Sequence, residues 1–208
     1  MKALYLPKHL EIMGATAALT QTYTIPEYLD IERRSGERYE FYNGKIKLMA
    51  GGSIAHNRIS RNISTELDTI FKSNDYFELF GSDQKIYLPD YHYYVYPDAV
   101  VVTDGPVMSE EQTDALINPL LIIEVLSPGT EKHDHTNKFL DYRTLPSFKE
   151  YVLIRQDTPQ VTCFFREAPD LWRESEVRGL DQEVLFKSVD VRLALALIYR
   201  KVAFADRH

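Results

Sequence analysis

One cysteine, Cys163, stands in 208 residues. No disulfide can form within the chain, so a framework of cross-links is excluded and a reducing, cytoplasmic setting is expected. Long apolar runs are missing too: none approaches the roughly 20 residues that a membrane-spanning helix needs. The first residues, MKALYLPKHLEIMG, carry only a short and interrupted apolar stretch, which reads as an arm rather than a signal peptide. Net positive charge is also lacking, the formal charge being −7. That argues against a protein that coats nucleic acid without discrimination, because phosphate binding needs local cations. It leaves room for a basic cleft on an acidic body.

What is present fits one folded domain. Hydrophobic residues make up 44% of the chain, enough for a core that needs neither metals nor disulfides. No internal repeat or low-complexity linker divides it. The expected organisation is an arm over 1–22, one domain over 23–200 and a tail over 201–208. The basic residues cluster. Between Gly44 and Thr65 lie Lys45, Lys47, Arg58 and Arg61, with His56 and no acid. Lys132, His133, His135 and Lys138 form a second run, with Asp134 as the acid among them. Each run taken alone is a solvated face.

Local patterns predict the elements. Thr24-Ile25-Pro26-Glu27 is a capping box opening a short helix that Ser35-Gly36 ends. Arg38 to Met49 reads as a hairpin about Asn43-Gly44, which pairs Tyr39 with Leu48 and Phe41 with Ile46, and sets Glu40 opposite Lys47. After Gly51-Gly52-Ser53 a helix is expected with Ile59, Ile63, Leu67, Ile70 and Phe71 as its buried stripe. Strands are predicted around Tyr76–Leu79 and Lys85–Leu88, as one run over Tyr93–Val102, and at Leu120–Leu126. Ser127-Pro128-Gly129 stops the last of these. A helix follows from Thr130 or Asp134 to Leu145. More sheet is expected at Tyr151–Ile154, Val161–Phe165, Trp172–Val177 and Val184–Lys187, and a closing helix at Val191–Tyr199. Helices alternate with strands in the middle and antiparallel pairs flank them, which is a mixed α/β (α+β) fold.

The run Leu120-Leu121-Ile122-Ile123-Glu124-Val125-Leu126 is apolar at every position but one. It reads as a central strand buried on both faces. A carboxylate there costs several kcal/mol unless it is neutralised or paired. A hard cation would offset that cost; so would an internal ion pair, or a position at the open end of the strand. Asp98 opens a second apolar stretch, Ala99-Val100-Val101-Val102. Alone it is an ordinary turn residue, but two carboxylates on neighbouring core strands can converge on one divalent ion. Lys138 lies in the helix after the Glu124 strand, in line with Asp134 and Tyr142. It is either half of a surface pair with Asp134 or a cation reaching back over the strand ends. Tyr91, Tyr93, Tyr94 and Tyr96 cluster before Asp98, as sheet packing, a subunit contact or a stacking platform for bases.

Pro97-Asp98, then Glu124 in an apolar strand, then a lysine, resembles the PD-(D/E)XK nuclease superfamily. More narrowly, the chain resembles the Uma family of restriction-endonuclease-like proteins. The matching stretches are Tyr39-Glu40-Phe41-Tyr42-Asn43-Gly44, the helix of His56, Tyr96-Pro97-Asp98, Ile123-Glu124-Val125-Leu126-Ser127-Pro128, Lys138, Tyr142 and Glu150-Tyr151-Val152-Leu153. They span roughly residues 23–200. In the superfamily the lysine usually lies two residues after the strand carboxylate. Leu126 occupies that position here, and the Uma pattern supplies the lysine from the following helix as Lys138.

The resemblance implies a restriction-endonuclease-like central mixed sheet flanked by helices, with extra antiparallel strands. It implies hydrolysis of DNA phosphodiesters using Mg²⁺ or Mn²⁺, with Asp98, Glu124, Lys138, His56 and Glu40 at the site and Asp98, Glu124 and His56 as metal ligands. Gln84 and Tyr142 are auxiliary polar groups. His56 has a packing or capping role as its alternative, and Glu40 a plain pair with Lys47. A homodimer is expected, since two sites on a two-fold axis would cut both strands of a duplex. The competing function is a dimeric nucleic-acid-binding module that keeps the fold with little turnover.

Overall fold

The computed structural model describes residues 21–110, 114–127 and 137–204. Most of the N-terminal arm, the end of the tail, Pro128-Gly129, the start of the helix predicted from Thr130 or Asp134, and His133 and His135 lie outside the described residues.

The chain enters through helix α1 (Ile25–Ser35), where the Thr24–Glu27 capping box forms and Gly36, at φ 70°, closes the far end in the left-handed region. Strands β1 (Tyr39–Tyr42) and β2 (Lys45–Leu48) make the expected hairpin, in the expected register. Asn43 and Gly44 both have positive φ, 45° and 81°, which the tight two-residue turn demands. Helix α2 (Ile54–Phe71) is capped by the Ser53 side chain, which accepts from the His56 backbone N–H. It buries Ile59, Ile63, Leu67 and Phe71 as read from the sequence, but Ile70 is exposed and Asn62 is buried in addition. The Asn62 amide donates to the carbonyls of Ile198 and Arg200, which ties α2 to the C-terminal segment.

The remaining elements are β3 (Phe77–Gly81), β4 (Lys85–Leu88), β5 (Tyr93–Val95), β6 (Ala99–Thr103), β7 (Ala115–Leu116), β8 (Leu121–Leu126), helix α3 (Phe139–Tyr142), β9 (Glu150–Arg155), β10 (Gln160–Ala168), β11 (Leu171–Arg178), β12 (Glu183–Phe186), β13 (Val191–Ala194) and helix α4 (Leu195–Ile198). A six-stranded mixed sheet has the order β11-β10-β9-β8-β6-β3, a five-stranded sheet the order β2-β1-β5-β4-β7, and β12-β13 form a separate hairpin.

Two predicted elements are recast and one strand is added. The run Tyr93–Val102 is two strands in different sheets: β5 pairs with β1 and β4, whereas β6 pairs with β3 and β8. Pro97 has no N–H to give a ladder, and the chain changes sheet at Tyr96-Pro97-Asp98. The closing helix over Val191–Tyr199 is a strand followed by one helical turn. Val191, Leu193 and Leu195 alternate in burial with Arg192 and Ala194, and period two wins because β12 offers a partner. Strand β7 has too few residues to leave a periodic signal.

Apolar residues fill three layers. One face of the six-stranded sheet packs on α2, the β12-β13 hairpin and α4. Its other face meets Ile86, Leu88 and Val95 of the five-stranded sheet. The outer face of the five-stranded sheet carries Tyr39, Phe41, Tyr87 and Tyr94 against Tyr28 of α1. Strand β8 lies inside the larger sheet, all six residues buried, as a strand without solvated positions requires. Its alternation sends Leu121, Ile123 and Val125 toward α2, and Ile122 and Leu126 toward the second sheet.

Candidate active site

Glu124 falls on the side of β8 shared by Ile122 and Leu126, so its carboxylate enters the space between the two sheets. Two groups, one from α3 and one from the N-cap residue before it, meet it there. Lys138 Nζ donates to Glu124 Oε1 at 3.0 Å, and the Tyr142 hydroxyl donates to the same oxygen at 3.3 Å. They lie four residues apart, one helical turn, and so present to one target.

Glu40 approaches from the other sheet. On β1 it alternates with Tyr39 and Phe41, which pack toward α1, and so faces inward. Lys138 Nζ is 3.0 Å from Glu40 Oε1, while Lys47, its cross-strand partner, is 3.3 Å from Glu40 Oε2. Glu40 thus makes the cross-strand pair with Lys47 and also shares Lys138 with Glu124. Tyr42 shares the inward face of β1. Its phenol is pushed far up by burial, and the Lys138, Glu40 and Glu124 charges all act on it. The sequence reading did not single it out, although its i,i+2 spacing from Glu40 was a signal.

These charges set one another's ionisation. Burial works against the Lys138 ammonium, but Glu124, Tyr142 and Glu40 outweigh it and raise the pKa well above the usual lysine value. Burial likewise pushes the Glu40 carboxyl up, yet Lys138 and Lys47 bring it below the ordinary carboxylate value. The Tyr142 phenol is driven up by burial and then by Glu124. The cluster therefore holds an ammonium and ionised Glu40 at neutral pH.

Asp98 sits one step beyond the last β6–β8 ladder pair, Ala99 with Ile123, at the level of Glu124. Its Oδ2 accepts the Val125 backbone N–H at 2.7 Å, taking the place of the next ladder bond. The same oxygen is 3.2 Å from His56 Nε2, in the first turn of α2. The donors thus form two adjoining groups: Glu40 and Glu124 about Lys138, and Asp98 with His56. Among the described residues no three His, Cys, Asp or Glu side chains converge as a preformed metal cage. Gln84 spends its amide N–H groups on the carbonyls of Lys85 and Asp114.

The structure thus sets Lys138 between Glu124 and Glu40, with Asp98 opening the strand next to that of Glu124. The model of the Uma2 family, described as "putative restriction endonuclease", matches residues 25–197. This chain belongs to the Uma2 family. Two uncharacterized proteins of Synechocystis sp. are similar to it. One is 34% identical over 174 residues, covering 84% of this chain and 98% of the relative. The other is 32% identical over 178 residues, covering 86% and 92%. The fold is similar to that of a crystal structure described as "a putative nuclease belonging to DUF820" from Anabaena variabilis, with TM-score 0.69, 18% identity, and coverage of 85% of this chain and 97% of that one. The Uma2 chain thus has a nuclease-like mixed α+β fold and belongs to a family associated with cutting nucleic acid. Families of this restriction-endonuclease-like kind generally use divalent metals. No helix among its described residues is long and apolar enough to cross a membrane.

Proposed function

We propose that this protein is an endonuclease that hydrolyses DNA phosphodiester bonds with Mg²⁺ or Mn²⁺, Asp98 and Glu124 holding the metal and Lys138 assisting. The observation that carries this reading is the position of Lys138 Nζ, 3.0 Å from both Glu124 and Glu40, with Asp98 on the Val125 N–H alongside. The donor set fits a hard cation. Asp98 and Glu124 offer carboxylate oxygens from adjacent strands, and a Mg²⁺-like ion is satisfied by one or two carboxylates with water completing its shell. Such an ion supplies Lewis acidity toward a phosphoryl oxygen and acidifies a water.

The protein's own groups divide the remaining work. Lys138 stays protonated, so it acts as a donor that orients the attacking water or offsets charge on the phosphoryl oxygens, and not as a general base. Glu40 holds Lys138 through an ion pair, and Tyr142 donates to the Glu124 oxygen that Lys138 also meets. His56 fixes the Asp98 carboxylate through Nε2 and is placed to carry a proton or join the metal's ligands. Two copies on a two-fold axis would present two such sites to a duplex; sedimentation of the full chain at micromolar concentration tests that, and a monomer would count against it.

A second reading has one observation in its favour: Lys138 already neutralises Glu124 and Glu40, as a purely structural ion pair would. In that case the protein is a dimeric nucleic-acid-binding module of the same fold. Calorimetry with Mn²⁺ on the wild type and on Asp98→Ala/Glu124→Ala, followed by plasmid cleavage, separates the two. The nuclease reading expects binding and cleavage in the wild type alone. Equal Mn²⁺ binding by both proteins would overturn it.

A further inference from the structure

Behind α3 lies a cleft of about 510 Å³ whose walls include Arg143, Thr144, Lys149, Arg166 and Glu167. Its charges are unbalanced. The acid in its wall, Glu167, is taken by Arg173, which donates to both of its oxygens. Among the described residues neither Arg143, Lys149 nor Arg166 forms a salt bridge, although the charge of Asp170 acts on Arg166.

The two arginines are held in place by an aromatic wall. The Arg166 guanidinium lies 4.9 Å from the centre of the Trp172 ring, and that of Arg143 lies 5.8 Å from the same ring and 5.7 Å from Phe139. Arg166 also donates to the carbonyls of Arg143, at 2.5 Å, and Leu145, at 3.4 Å. Fixing two like charges beside one ring costs electrostatic energy, and the Arg166 pKa is lowered by burial and then by Arg143. Donors here outnumber acceptors. Arg166 Nε and Trp172 Nε1 are both buried without an acceptor among the described residues.

A pre-oriented guanidinium pair with an adjacent ammonium is matched to a phosphate, whose oxygens accept several N–H bonds at once. We infer that the Arg143–Lys149–Arg166 cleft binds a backbone phosphate of nucleic acid outside the scissile site. The choice of nucleic acid as the source rests on the nuclease reading; the anion chemistry does not. The connection to the site is short. Lys138 and Tyr142 reach from the α3 segment to Glu124, while Phe139 and Arg143 of the same segment reach to Trp172. A strand held in the cleft is thereby anchored to the segment that carries the assisting lysine.

Trp172 is the chain's one tryptophan, so intrinsic tryptophan fluorescence reads this cleft and nothing else. The full chain, free of divalent metal, is titrated with a short DNA duplex and separately with inorganic phosphate. The duplex is expected to give a saturable change that weakens with salt. Lys149→Gln and Arg143→Gln should each weaken it several-fold, and the double variant should lower the salt slope by about one to two. Arg143→Lys should keep most of the response. Lys149 is exposed, so its variant retains the fold, which circular dichroism checks. Duplex binding by the double variant with wild-type affinity and salt slope overturns the proposal. A response to phosphate with none to the duplex also overturns it, leaving a small-anion site. An Asp98→Asn/Glu124→Gln variant should keep the fluorescence response while losing cleavage. Failure of the nuclease reading would appear as a wild type that gives the response but does not cleave, and so is distinguishable from failure of the cleft.

Discussion

Two buried lysines stand on opposite faces of the five-stranded sheet, each between two carboxylates and among tyrosines. Lys138, on the inner side, pairs with Glu124 and Glu40 at 3.0 Å each. Lys85, on the α1 side, pairs with Glu32 at 2.8 Å and Asp114 at 3.3 Å, with the rings of Tyr28, Tyr94 and Tyr96 5.6 to 5.9 Å away. Burial and pairing are alike, yet the surroundings differ. The second oxygen of Glu32 accepts the Tyr39 backbone N–H and the Tyr96 hydroxyl. The Lys85 cluster therefore fastens α1 to the sheet, and its other acid, Asp114, faces solvent. The Lys138 cluster draws a carboxylate from β8, whose six residues are all buried, and the neighbouring strand is preceded by Asp98, which meets His56. A buried ion pair does not by itself mark chemistry. What distinguishes the Lys138 side is a further carboxylate, Asp98, at the start of the next strand, which the proposed function assigns to the same cation as Glu124.

The largest test of that difference is Glu124→Ala against Glu32→Ala. The first is expected to abolish Mn²⁺-dependent plasmid cleavage and to weaken Mn²⁺ binding in calorimetry. The second should keep the turnover of its folded fraction and lose stability instead. Equal loss of turnover in both would erase the distinction.

Next comes the lysine pair itself. Lys138→Met is expected to lower the rate constant by about 10²–10³, the usual effect of losing a group that stabilises transition-state charge, with Mn²⁺ binding kept because an ammonium is not a ligand. Lys85→Met should leave the rate constant near wild type. Single-turnover cleavage of a labelled duplex measures both.

Stability should separate the pair in a smaller way. Removing one partner of a buried ion pair costs about 3–5 kcal/mol, so urea melts should show a loss of that order in Lys85→Met and in metal-free Lys138→Met. On the nuclease reading both variants keep Asp98 and Glu124, so Mn²⁺ at about 100 times its Kd would add about 2.7 kcal/mol to each, with the lower Kd expected in Lys138→Met, where the cation takes the place of the lost ammonium.

The smallest effect is pH dependence. The folded-state pKa of Glu40 is depressed below its ordinary value of 4.5 through Lys138 and Lys47. Its contribution is therefore complete above that value and is lost as pH falls through the folded pKa. Glu40→Gln should flatten the acid limb of the stability curve there and leave the neutral plateau unchanged in slope. Lys138 has the opposite sign: its raised pKa gives stability present below the ordinary lysine value and lost only as pH rises through the folded value, so it adds no slope near neutrality.

Much of the candidate site was legible in the chain because its parts announce themselves locally. Glu124 is conspicuous as the one charge in a six-residue buried strand, and Lys138 and Tyr142 share a helix face by their spacing of four. The Lys85 cluster was not legible. Glu32 and Lys85 lie in ordinary amphipathic contexts, and nothing near either residue says that the other will be buried against it. The phosphate cleft was hidden for the same reason, since Arg143, Lys149, Arg166 and Trp172 come from separate elements.

By itself the sequence determined the features that act over a few residues. The Thr24–Glu27 cap, the Asn43-Gly44 turn with its register, and the double-sided burial of Leu121–Leu126 follow from short-range hydrogen bonding, φ preferences and hydrophobic period. Tertiary structure alone decided which strands became neighbours. It split Tyr93–Val102 between two sheets at Pro97, made Val191–Ala194 a strand by supplying β12, and brought Glu40 of one sheet to the lysine that serves Glu124 of the other. Periodicity fixes which face of an element is apolar. Only packing fixes which other face it meets, because that choice is made by shape and charge between residues far apart in the chain.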